Sequence, residues 1–108
     1  MKTHYITILA IKEGGKLKLS DHGDTKVNPG DLVFWTIAPK SKVTGISGIS
    51  KTKGKNIFTK GPSKIKNSKV WFGIVKSKFK SKSEETYTIK YKSESGSGSH
   101  DPKISVKP

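Results

Sequence analysis

Runs of β-branched and aromatic residues, broken at short intervals by glycine and proline, set the first expectation for this chain. Thr3 to Lys12 places His4, Ile6, Ile8 and Ala10 on one face of an extended segment and Tyr5, Thr7, Leu9 and Ile11 on the other. Both faces are largely apolar, which predicts a strand covered on both sides. Gly14 and Gly15 end it, and Lys16 to Leu19 then alternates lysine with leucine in the period of a half-exposed strand. Val27 leads into Asn28, Pro29, Gly30 and Asp31, where proline sets φ and glycine supplies the positive φ of a type II turn.

Leu32 to Ala38 is the most apolar stretch, with Leu32, Phe34 and Thr36 opposing Val33, Trp35 and Ile37. It predicts a central strand that sends Phe34 and Trp35 into the core on opposite sides. Val43, Ile46 and Ile49 have helical spacing, but Gly45 and Gly48 would each cost ~1 kcal/mol in a helix, so a strand or irregular coil is expected. Ser50 to Ser68 offers only Ile57, Phe58 and Ile65 as large apolar anchors and reads as long loops around one short strand. Strands follow at Lys69 to Val75, at Thr86 to Lys92 with Tyr87, Ile89 and Tyr91 on one face, and at Lys103 to Lys107 with Ile104 and Val106 together. Ser93 to Ser99 reads as a hairpin loop or a flexible excursion. About seven strands and no amphipathic helix predict an all-β fold, a small Greek-key sandwich in preference to a barrel. With 108 residues, one core and a single domain over residues 1–108 are expected.

The run VNPGDLVFW, Val27 to Trp35, resembles the segment of cupredoxins in which a proline-glycine turn feeds a central strand. YTIKY, Tyr87 to Tyr91, followed by a loop and KISV, Lys103 to Val106, resembles that family's last two strands, and HDPKISVKP, His100 to Pro108, resembles the tails of small bacterial cupredoxin-like proteins of unassigned function. The resemblance implies a cupredoxin-like sandwich. It does not carry the family's copper chemistry, because a blue-copper site needs two histidines, a cysteine and usually a methionine. Ser41, Lys42 and Val43 stand where the family's first histidine falls, and Tyr91 and Lys92 to Ser99 occupy the remaining ligand region. No cofactor and no metal site are expected.

Candidate chemistry is otherwise thin. The absence of cysteine removes disulfides and thiol nucleophiles, and the three histidines, His4, His22 and His100, have no short metal-ligand spacing. His22 with Asp21 and Asp24, or His100 with Asp101, would make at most part of a site; loop-capping roles fit them better. Glu84 and Glu85 are adjacent and point to opposite faces of a strand, so they cannot act as a paired acid and base. No serine sits in a GxSxG elbow, and the glycines from Gly96 to Gly98 lack the lysine and helix of a phosphate loop. An enzyme is not expected.

Charge changes the picture most. The formal net charge is +14, and all 22 basic residues are lysine. A field of that size attracts acidic partners, but without arginine the chain lacks the planar fork of bidentate base recognition. Selection for solubility is the competing explanation for the lysines. The excess is regional: Lys40 to Lys82 holds 13 lysines and no acidic residue, while the other 9 lysines are set against all 8 carboxylates. Its densest section, KSKFKSK, makes Lys76, Lys78, Phe79, Lys80 and Lys82 the candidate polyanion-binding residues. That section reads either as a basic loop with a stacking aromatic or as a solvated loop with Phe79 tucked into the core.

The expected function is therefore a non-catalytic binding or accessory domain that contacts an unidentified acidic partner through its lysine-rich middle. Non-specific nucleic-acid binding by a small barrel, or a structural subunit pairing through sheet edges, are the alternatives. The run Ile6 to Ile11 is shorter than a secretory core region, and no stretch approaches the ~20 apolar residues of a membrane span. A soluble chain without a signal peptide is expected, with the compartment and the oligomeric state open.

Overall fold

In a computed structural model, which describes residues 1–107, the strand-forming runs build two sheets. The strands are β1 (Thr3–Ile11), β2 (Leu17–Leu19), β3 (Asp24–Val27), β4 (Leu32–Ile37), β5 (Val43–Gly54), β6 (Phe58–Lys64), β7 (Trp71–Val75), β8 (Ser83–Ser93), β9 (Gly96–His100) and β10 (Lys103–Val106). Among the described residues the only helical element is a 3-10 turn, Glu13–Gly15. The first sheet has the order β2-β1-β4-β7-β6 and the second the order β3-β10-β8-β5, with β9 also paired to β8. The all-β sandwich expected from the pattern is what forms, with ten strands in place of about seven.

One of the extra strands has a local cause. Gly96 and Ser97 pair with Ser93 and Lys92, so the segment expected to be a loop closes as a tight hairpin onto β8. Pro102 interrupts the pairing, after which β10 continues along the same strand. The long loops expected over Ser50 to Ser68 are likewise replaced by the distal half of β5 and a seven-residue β6. Both are sparse in apolar residues because they lie at sheet edges, where only one flank is paired.

Strand β5 also resolves the ambiguous spacing of its apolar residues. Val43, Ile46 and Ile49 are all buried, three residues apart, on an extended chain. Register shifts after Val43, Ile46 and Lys51 insert extra residues against β8, and the first two bulges return the next apolar side chain, Ile46 and then Ile49, to the same face. The helical spacing is thus a bulged strand's spacing.

The core lies between the sheets. Ile6, Ile8, Val33, Trp35 and Val75 enter from the first sheet, and Tyr87, Ile89, Tyr91, Ile104 and Val106 from the second. Trp35 packs against Phe58 and Tyr87 with ring centroids 5.8 and 5.7 Å apart, and its indole N–H donates to the Tyr87 hydroxyl over 3.1 Å. Gly73 is small because the Phe58 ring covers it: a Cβ there would come within 2.7 Å of that ring. The turn before β4 forms as expected, with Gly30 at φ +83° and the Asp31 N–H donating to the Asn28 carbonyl. Asp31 then ties the turn to β1, accepting bonds from the backbone N–H of Lys2 and Asn28 and from the His4 ring.

The face on which β1 and β4 are covered corrects a further expectation. Phe34 does not reach the core opposite Trp35, and β4 and β1 are covered on one side only. Phe34 is half-buried on the outer face of the first sheet, stacked at 5.6 Å on Tyr5, which is 65% exposed. No helix or further sheet among the described residues covers that face, because every other strand belongs to the second sheet across the core.

Candidate polyanion interface

The lysine-rich section between β7 and β8 is an irregular loop, so its lysines are not held to one side as an extended strand would hold them. Its entry is fixed by the main chain. The Lys76 N–H donates to the Ile57 carbonyl over 2.9 Å, and the Lys76 carbonyl accepts from Gly30 over 3.0 Å. Across from it, the Lys55 N–H donates to the Glu84 carbonyl, which places the β5–β6 connection beside the loop. A shallow groove of about 400 Å³ results, lined by Lys55, Asn56, Lys76, Lys78, Phe79, Lys80, Ser81 and Ser83. Its lining includes four lysines and no acidic residue.

Of the five residues singled out in the sequence, four share this groove. Lys82 does not: it lines a neighbouring hollow with Asp24, Glu84 and Lys26, where charge is mixed. Phe79 is half-buried and packs against the core, so its ring anchors the loop and is not displayed as a platform. Lys55 was absent from the sequence reading of the site. It lies 21 positions before Lys76 and joins only through the β5–β6 turn, so no local spacing signals it.

Beneath the groove lies Glu85. Its side chain falls in the inward row of β8 and is 1% exposed, while Glu84 points out to solvent. The Glu85 carboxylate accepts the Ile57 N–H over 3.1 Å. Burial pushes its carboxyl above the ordinary range, against the opposing pull of that bond and of the Lys51 and Lys76 ammonium groups. The other lysines of the region are solvated: among the described residues, Lys103 alone comes within 4.0 Å of a carboxylate. The positive field from Lys40 to Lys82 is therefore uncompensated by ion pairs.

The turn aspartates have local partners, and of the histidines His4 bonds to Asp31 while the buried His100 Nδ1 has no hydrogen-bond partner. Asp21 accepts from the Gly23 N–H and the Thr25 hydroxyl, and Asp101 accepts from the Thr88 hydroxyl over 2.6 Å. Burial, with Lys16 and Lys12 nearby, lowers the His100 pKa. Among the described residues no three His, Asp or Glu side chains gather as a ligand set.

The copper implied by a cupredoxin resemblance does not fit the side chains at the corresponding positions. Val43 pairs with Ser93, so the two segments do converge at one end of the second sheet. The hydroxyls brought there are already engaged by the main chain. Ser41 Oγ accepts the Val43 N–H, the Tyr91 hydroxyl donates to the Gly15 carbonyl, and the Ser93 hydroxyl donates to the Gly96 carbonyl. Neither a thiolate nor an imidazole is among them, so the donor set is wrong for copper.

A second surface, not anticipated from the sequence, crosses the open face of the first sheet. Tyr5, Phe34 and Phe72 occupy one register row across β1, β4 and β7, and Leu32 and Ile74 form the adjacent row. The Tyr5 and Phe34 rings stack 19° from parallel, and Lys60 Nζ sits 5.8 Å from the centre of the Phe72 ring. Alternation within β1, β4 and β7 was visible in the sequence; which of the two apolar faces meets solvent was not.

No family model and no curated protein matches the chain. Among solved structures, a pseudoazurin from Sinorhizobium meliloti is similar over 100% of this chain and 76% of its own, with a TM-score of 0.45 and 13% identity.

Proposed function

We propose that this chain is a non-catalytic binding domain on a cupredoxin-like sandwich, and that its lysine groove contacts an acidic partner. The observation that carries the reading is the lining of that groove, where Lys55, Lys76, Lys78 and Lys80 converge without a carboxylate among them. Clustered ammonium groups of one sign raise the local concentration of anions and accelerate their association. Lysine without arginine favours attraction to charge over recognition of a particular sequence.

Assembly through sheet edges is the weaker reading. Strands β2 and β3 are only three and four residues long, β5 is broken by three register shifts, and β6 carries two shifts and Pro62. Short, bulged, proline-bearing edges discourage pairing with another chain.

Titration with heparin and with duplex DNA at several salt concentrations tests the proposal. Each phosphate neutralised on duplex DNA contributes about −0.9 to the slope of log affinity against log salt, so replacing Lys76, Lys78 and Lys80 with glutamine should flatten it by about 2.7. Lys2→Gln and Lys107→Gln should change it less. Absence of binding at low salt would leave the lysines as a solubility feature and end the proposal.

A further inference from the structure

The aromatic face of the first sheet has no role in the groove's charge-based binding, and its composition is unusual for a solvated sheet. Tyr5 is 65% exposed and stacks on Phe34 through one ring face only, so the stack ends on an open ring. Strand β2 pairs with β1 only from Ile8 to Ile11, and although Ser20 beyond it bonds to the main chain of Thr7 and Tyr5, the Tyr5 side chain stays exposed. A cation flanks the row on one side, where Lys60 caps Phe72 from β6.

The occupant must supply flat π surfaces together with repeated negative charge. A second copy of this chain is a poor candidate, since each copy carries +14. A purely apolar partner is also disfavoured, because the hydroxyls of Thr3, Thr7 and Thr36 lie among the rings along β1 and β4. A double helix presents phosphates but keeps its bases stacked inside. Unpaired bases meet both requirements, with rings to extend the Tyr5–Phe34 stack and phosphates to follow the lysines.

We infer that this face binds single-stranded nucleic acid, with bases stacking on the Tyr5–Phe34–Phe72 row while the phosphate backbone follows Lys60 and continues to the lysine groove. The continuation is built into β7, which carries Phe72 and Ile74 outward and runs directly into Lys76 at the groove. Four residues of extended chain separate Phe72 from Lys76, about 13 Å, a span of a few nucleotides. The inference rests on the proposed acidic-partner reading and names the class of partner.

Fluorescence anisotropy of a labelled 15-residue oligothymidine, with a duplex of the same length and heparin as comparison ligands, separates the two claims. The full chain should hold the oligothymidine more tightly than the duplex at 200 mM salt. Tyr5→Ala, at an exposed position where folding is not at stake, should weaken oligothymidine binding by about 5- to 150-fold. The same variant should leave heparin binding unchanged, and Tyr5→Phe should retain the stacking. If Tyr5→Ala affects neither ligand, or the duplex and heparin bind as well as the single strand, the stacking inference fails while the acidic-partner reading stands. If no polyanion binds at 50 mM salt, both fail.

Discussion

Replacing Tyr87 with phenylalanine isolates a single buried interaction. Trp35 and Tyr87 are each 0% exposed and come from opposite sheets, so the bond between them crosses the centre of the sandwich. Phenylalanine keeps the ring that packs edge-on against Trp35 and removes only the hydroxyl. The indole N–H then has no acceptor and no route to water, which costs about 1–3 kcal/mol. Against a total stability of ~5–15 kcal/mol for a domain, that is a large fraction, and at about 4–8 °C per kcal/mol for a domain of this size it should be visible in Tm. Urea denaturation followed by tryptophan fluorescence should show a lower midpoint with an unchanged m-value. A double-mutant cycle with Trp35→Phe should give a coupling above about 0.5 kcal/mol. A change within ±0.5 kcal/mol for Tyr87→Phe would refute the argument that the cross-sheet bond satisfies a stranded donor.

Three further outcomes follow from the packing and the buried carboxylates. Gly73→Val should destabilise by about 1–3 kcal/mol, since its side chain must displace the Phe58 ring; unchanged thermal unfolding would count against that close approach. Burial raises the Asp31 pKa, but the bonds from His4, Asn28 and Lys2 outweigh it and hold the carboxyl below its ordinary 3.8. Its stabilisation is therefore present above pH 3.8 and lost as pH falls through the lower folded pKa, so Asp31→Asn should cost about 1.5–3 kcal/mol at pH 7, with a gap that narrows in acid urea titrations. Glu85 has the opposite sign: its raised pKa means the folded state binds more protons, so its contribution falls as pH rises above 4.5. The stability of Glu85→Gln relative to the parent should improve from pH 4.5 to pH 8, and a difference independent of pH would exclude the buried carboxylate as a source of strain.

The sequence by itself determined the β class, the turn at Asn28–Asp31, the burial of Trp35, Tyr87, Ile89 and Tyr91, and the regional excess of lysine. These depend on local chemistry: β-branched alternation, the φ of proline and glycine, and counts of charge. Only the tertiary structure decided three other matters. It chose which apolar face of β1 and β4 meets water, a choice local alternation leaves open because both faces are apolar. It turned the helical spacing of Val43, Ile46 and Ile49 into a bulged strand, since bulges are defined only against the partner β8. And it drew Lys55 to Lys76 while separating Lys82, because side chains far apart in sequence meet through strand pairing, whose register depends on the whole sheet.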